Sequence, residues 1–179
     1  MRRLNHIALL CSLAGALAAA GCSHDVRPIR PVAHVNLPRF MGSWYVIASI
    51  PSFPEKHAYN AVESYALLPD GRIQTTFRFR KGGFDKPLKT MRPVGTVQPD
   101  TANAVWGMQF IWPFKSDYRI AYLDADYSQV IVARAARDYV WIMARTPQIS
   151  PASYESLVAK VKALGYDVEK LQRVPQSPL

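Results

Sequence analysis

Residues 40–51, FMGSWYVIASIP, decide how the rest of the chain is read. From Trp44 onward the stretch is rich in the aromatic and β-branched residues that suit a pleated strand. Gly42 and Trp44 stand two apart, so both positions face the same side. A bare backbone beside the largest side chain marks a strand end with a special requirement on its backbone. Similar segments recur downstream at 60–68, 72–80, 88–97, 104–110, 118–124, 129–133 and 139–145. Turn-forming sequences separate several of them: Pro69-Asp70-Gly71, Lys81-Gly82-Gly83, Pro99-Asp100 and Arg137-Asp138.

The alternation within these segments sorts side chains between two faces. TTFRFRK sends Phe77 and Phe79 one way and Arg78 and Arg80 the other. VWGMQF aligns Trp106, Met108 and Phe110; YVWIMAR aligns Tyr139, Trp141 and Met143, in register with Arg145. In the segment between them, Tyr118 and Tyr122 share parity. The expected fold is all-β, an eight-stranded antiparallel up-and-down barrel, because closure removes exposed edges. One helix is expected over 151–164. Ser150 is its N-cap, Pro151 its first residue, and Gly165 its C-cap. Tyr154, Leu157, Val158, Val161 and Leu164 form a single apolar stripe, so this helix should pack outside the barrel. Residues 37–40 read as a helical turn, and 167–174, DVEKLQRV, as a short extra strand.

The N-terminus reads as a leader. Arg2 and Arg3 precede an apolar run from 7 to 20, followed by small residues ending at Gly21-Cys22. The run is short for a membrane span. AAGC resembles a lipobox, at which a signal peptidase cuts before a lipid-modified cysteine; Ala19 stands where leucine is usual. The alternative is an ordinary leader with a chance cysteine. Cys11 leaves with the leader and Cys22 is then the only cysteine, which excludes a disulfide within the mature chain and suits an acyl anchor. Ser23 rather than Asp follows it, which by resemblance to lipoprotein sorting rules points to the outer membrane, facing the periplasm. The expected organisation is a leader over 1–21, a lipidated cysteine and tether over 22–36, a barrel with its helix over 37–174, and a tail over 175–179.

Removing Arg2 and Arg3 leaves 20 basic against 13 acidic residues in the mature chain. A basic balance attracts lipid phosphates or nucleic acid, and a solvated surface explains it as well. The FRFR segment offers rings and cations as a nucleic-acid sheet does, but a half-buried strand has the same pattern, so no nucleic-acid partner is expected. Motifs for nucleotide binding, serine hydrolysis and zinc proteolysis are absent. The mature histidines, His24, His34 and His57, lie in the tether and a loop, so neither a metal site nor a cofactor is expected.

Gly42-x-Trp44, the eight strands and the late helix together resemble the lipocalin family. SDYRIAYLD at 116–124 is similar to the family's second signature through Asp117-Tyr118, with Ser116 replacing threonine. YVWIMARTP at 139–147 resembles the third, through Arg145. The resemblance is nearest to the bacterial outer-membrane lipoprotein branch, related to apolipoprotein D. Trp112 departs from it, standing where a smaller residue is expected. The resemblance implies that Trp44 plugs the closed base, that the Arg145 guanidinium stacks on it, and that Gly42 lets the preceding turn pass. It also implies that Phe77, Phe79, Trp106, Met108, Phe110, Tyr118, Tyr122, Tyr139, Trp141 and Met143 face a cavity and are candidate ligand contacts.

The function expected is binding rather than catalysis. A membrane-anchored protein would hold a fatty acid, lysophospholipid or similar amphiphile for storage, transport or repair of envelope lipids. Two alternatives stay open: an enzyme acting on a bound lipid, and a structural lipoprotein with a plugged barrel. A cysteine nucleophile in the cavity is excluded, because Cys22 lies in the tether. The oligomeric state is open, a homodimer included.

Overall fold

A computed structural model describes residues 27–177 apart from Trp112. The chain builds a closed antiparallel barrel from β1 (Gly42–Ile50), β2 (Ala58–Leu67), β3 (Ile73–Lys81), β4 (Leu88–Met91), β5 (Val94–Val97), β6 (Val105–Ile111), β7 (Phe114–Leu123), β8 (Gln129–Ala133) and β9 (Val140–Ala144). The strands pair in sequence order around the wall, with β4 and β5 both on β3 and β5 on β6, and β1 closes it on β9. β4 and β5 are one barrel strand broken in two. The segment expected to run unbroken over 88–97 is interrupted at Arg92-Pro93, where proline lacks the N–H that a ladder needs. The Pro93 carbonyl still accepts from Thr75 N at 3.0 Å, so the wall stays closed.

Alternation divides the apolar residues into two cores. The inner one fills the barrel, with Phe40, Trp44, Tyr65, Phe79, Trp106 and Ile120 among its members. The outer one lies between the wall and α2 (Pro151–Ala163), where Leu157 and Val161 meet Ile47, Ile131 and Ile142. The α2 N-cap is made as the sequence predicts: Ser150 Oγ accepts from Ser153 N at 3.1 Å. A one-turn helix α1 (Leu37–Phe40) precedes β1.

Both ends of the described residues close on the barrel. Ile29 and Val35 are buried, and Val32 N donates to Ile120 O at 2.8 Å, so residues from Ile29 on lie strapped to the wall within what the sequence suggested as a tether. After α2 the chain returns as β10 (Gln172–Arg173), the short extra strand expected over 167–174, which pairs with Ala48 and Ser49 of β1. Gln176 Nε2 then donates to the carbonyls of Val46 and Ala61, covering the place where β1 and β2 splay apart. The leader, Cys22, His24 and Trp112 lie outside the described residues.

Candidate functional site

The two ends of the barrel are built differently. At the base, Phe40 comes from α1 and Trp44 from β1, with ring centroids 5.1 Å apart. Phe40 meets Trp106 edge-on at 5.4 Å, and Trp106 stacks on Tyr118 at 5.0 Å with planes only 6° apart. All four of these rings are buried in the inner core. Arg145 seals it from outside, its guanidinium carbon 3.8 Å from the Trp44 ring centroid. Its nitrogens donate to the carbonyls of Ser43, Arg39, Phe40 and Tyr127 at 2.9–3.2 Å. Gly42 lets Arg145 come this close: it has φ +93°, and a Cβ there would lie 3.3 Å from Arg145 Nη1.

Above this block the interior turns polar. Glu63 of β2 pairs with Phe77 across the β2–β3 ladder and faces inward with Ala61 and Tyr65. Tyr65 Oη donates to Glu63 Oε2 at 2.5 Å, and the Tyr118 hydroxyl lies 2.5 Å from Tyr65 Oη. With Glu63 ionised the protons therefore run from Tyr118 to Tyr65 to Glu63. Burial pushes the Glu63 carboxyl up to about 7; the Tyr65 bond opposes this and nearby Glu55 adds to it. Burial also holds both phenols well above the usual tyrosine range. Between Glu63, Phe77, Met108 and Tyr118 lies a space of about 30 Å³, room for one or two water-sized groups.

The mouth is wider. A cavity of about 500 Å³ opens between Trp141, Phe110, Met91, Pro54 and Tyr139, with Glu55 and Arg134 as polar groups on its wall. It falls in the size range of small-molecule pockets. Glu55 sits on the β1–β2 connection and both its oxygens are held: Ser52 Oγ donates to one and Trp141 Nε1 to the other, each at 2.7 Å. Its carboxyl is raised, chiefly by burial, against these two bonds. Arg134 pairs with Asp138 at 3.1 Å and its guanidinium lies over the Tyr139 ring, while its buried Nε has no partner among the described residues.

The ten residues proposed from sequence separate by depth. Phe110 and Trp141 border both the inner space and the mouth; Phe77, Met108 and Tyr118 border the inner space only, and Tyr139 the mouth only. Phe110 stands at the rim and is 51% exposed. Phe79, Trp106 and Met143 are inward but packed as core, bordering neither cavity. Tyr122 is a correction. A bulge between Ile120 and Tyr122 shifts the register against β8, so Ile120 and Leu123 face in and Tyr122 faces out. There it packs under α2, with Lys160 Nζ 4.8 Å from its ring. Asp117, the signature neighbour of Tyr118, accepts from Arg119 and from Ala135 N, tying β7 to the β8–β9 connection.

Sequence reasoning missed Glu55, Glu63, Tyr65 and Arg134. A signal for two of them was present: across the Pro69-Asp70-Gly71 turn, Glu63 and Tyr65 alternate in step with Phe77 and Phe79. Glu55 and Arg134 lie in connections, where no periodicity points inward. Among the described residues no group of His, Cys, Asp and Glu has the arrangement of a metal site, and no helix is long and apolar enough to cross a membrane.

A family model described as a lipocalin-like domain matches residues 35–176. Temperature-induced lipocalin-1 of Arabidopsis thaliana is 34% identical, over 86% of each chain. Outer membrane lipoprotein Blc of Citrobacter freundii is 28% identical over 94% of this chain and 96% of its own, and bovine apolipoprotein D is 25% identical over 91% and 90%. Among solved structures, insecticyanin from the tobacco hornworm Manduca sexta superposes with a TM-score of 0.67 at 16% identity, covering 84% of this chain and 86% of its own. The closed eight-strand wall, the outer helix and these matches together place the chain in the lipocalin family, among relatives that include bacterial outer-membrane lipoproteins and apolipoprotein D.

Proposed function

We propose that this lipocalin is a membrane-anchored binding protein that takes an amphiphilic lipid into the mouth of its barrel, for storage, transport or repair of envelope lipids. The observation that carries this reading is the cavity of about 500 Å³ walled by Trp141, Phe110, Met91 and Tyr139. Moving an alkyl chain from water into such a cavity gains about 0.8 kcal/mol per methylene, less the cost of association. Binding rather than catalysis is favoured because the family is one of binding proteins and the single mature cysteine is Cys22. The anchor rests on the leader and lipobox-like sequence ending at Cys22, and on the Blc relatives, which carry the name outer membrane lipoprotein.

The chain from Ser23 onward, delipidated and titrated with fluorescent fatty acids of several lengths, is expected to show saturable binding. The inner space beside Glu63, only about 30 Å³, favours a second reading, a plugged structural barrel, and absence of binding at every length would support it. The anchor is tested separately: Cys22→Ala should abolish membrane fractionation of the full chain, and undiminished membrane association would refute lipidation.

A further inference from the structure

The floor of the cavity is an acceptor, and this restricts what can end there. Glu63 Oε2 takes the Tyr65 proton and Tyr65 takes that of Tyr118, so with Glu63 ionised both phenolic protons are committed within the barrel. Among the described residues Glu63 Oε1 takes no hydrogen bond, and the carboxyl borders the inner space. That space joins the mouth, since Glu55, Phe110, Ser116, Arg134 and Trp141 border both. The wider mouth also carries Arg92. The inner space has room for a hydroxyl or an ammonium but not for an alkyl chain.

We propose that the cavity selects amphiphiles by a hydrogen-bond-donating tip, a hydroxyl or a primary ammonium, which enters first and rests against Glu63, and that it rejects a carboxylate there. This rests on the lipid-binding reading above and names the chemistry of its ligand. The groups facing Glu63 are Tyr65 on its own strand, Tyr118 on β7, Glu55 on the β1–β2 connection and Arg134 after β8. Because the Glu63 carboxyl titrates near 7, the floor changes from a neutral acid to a charged acceptor across neutral pH. Ammonium ligands should therefore bind more tightly as pH rises through 7, and carboxylates more weakly.

The test uses the chain from Ser23 onward with decylamine, decanol and decanoate displacing an environment-sensitive dye. At pH 8 decylamine is expected to bind at least about tenfold more tightly than decanoate, a difference of about 1.4 kcal/mol. The preference should shrink at pH 5.5 and in Glu63→Gln, which keeps the side chain's shape. Decanoate binding as tightly as decylamine at pH 8, or a preference unchanged by Glu63→Gln, would overturn the proposal and leave lipid binding standing. Failure of the dye and all three ligands to bind would overturn both.

A different observation concerns the rim. Phe53 and Phe114 are each 76% exposed, and Phe84, Leu88 and Phe110 are exposed beside them at the same open end. Lysines stand among them: Lys56 and Lys81 lie 5.9 and 5.5 Å from the Phe53 ring, and Lys86, Lys89 and Lys115 flank the β3–β4 and β6–β7 connections. The carboxylates of this rim, Asp85 and Asp138, are paired with Lys86 and Arg134. Lys56, Lys81, Lys89 and Lys115 have no carboxylate partner among the described residues, and exposed rings among such cations suit an interface of acyl chains under anionic head groups. We infer that the open end docks on an anionic bilayer surface, where a lipid's polar tip meets the mouth first.

Co-sedimentation of the chain from Ser23 onward should show binding to vesicles containing phosphatidylglycerol, weak binding to phosphatidylcholine alone, and loss of most of the bound fraction in high salt. The Phe53→Ser/Phe114→Ser variant should lose it too while folding normally. Equal binding to both vesicle types, or an unaffected variant, would overturn the inference. So would a dimer in solution that these substitutions dissolve, since the face would then bind a second copy.

Discussion

The base and the mouth of this barrel use the same alternation of inward side chains for opposite ends. At the base, Trp44, Trp106 and Phe40 interlock, and Arg145 spans four backbone carbonyls beneath them. At the mouth, Trp141 and Phe110 line open space instead, and the polar groups between the two levels include the Glu63 and Glu55 carboxyls, the Tyr118 phenol and the Arg134 guanidinium. The difference lies in what crosses the strand ends. At the base α1 and the residues around Gly42 supply a lid that fills the remaining volume; at the mouth the connections carry exposed phenylalanines and lysines and leave the barrel open. An inward aromatic is thus a plug or a ligand wall according to its depth.

Substitutions at the two levels can break or sharpen this contrast. The largest effect is expected at the base: Trp44→Ala should cost roughly 3–5 kcal/mol in denaturant unfolding. Loss of ligand with stability retained would place the cavity at the wrong end. Next comes Glu63. Its carboxyl is raised in the fold, so the neutral form is favoured there, and stability is fully present below the unfolded value and falls as pH rises from about 4.5 through about 7. Glu63→Gln should match the native protein near pH 4.5 and exceed it above pH 7, by at most roughly 3 kcal/mol. A native melting temperature that rises between pH 5 and 8 would contradict the placement of Glu63. Gly42→Ala, with its left-handed φ and its short approach to Arg145, should cost roughly 1–2 kcal/mol, measured in the same unfolding experiment. The smallest effect is expected at the rim, where Phe114→Ser should leave stability within about 0.5 kcal/mol.

Much of this was legible in the sequence because a half-buried strand repeats every two residues. Gly42, Trp44 and Arg145 identified the base only through their resemblance to the family's signatures, and the caps of α2 identified the outer helix. The parity of Tyr122 was not legible, because a bulge adds one residue with no compositional mark and turns the rest of the strand over. Depth was not legible either. Trp106 and Trp141 alternate in the same way, yet one is core and the other cavity wall, because only the assembled loops and α1 determine which level is filled. Glu63 could have been placed inward by pairing β2 with β3 across the turn, but a lone glutamate beside Ser64 reads first as a solvated face.

The separation of plug from pocket can be measured with the protein's own tryptophans. In a Trp112→Phe background, titration with a brominated decyl amphiphile should quench emission saturably, through Trp141 at the mouth. Adding Trp141→Phe should remove that quenching while dye displacement shows that binding persists, leaving Trp44 and Trp106 shielded in the base. Quenching that survives the second substitution would put the ligand among the base tryptophans and contradict the account.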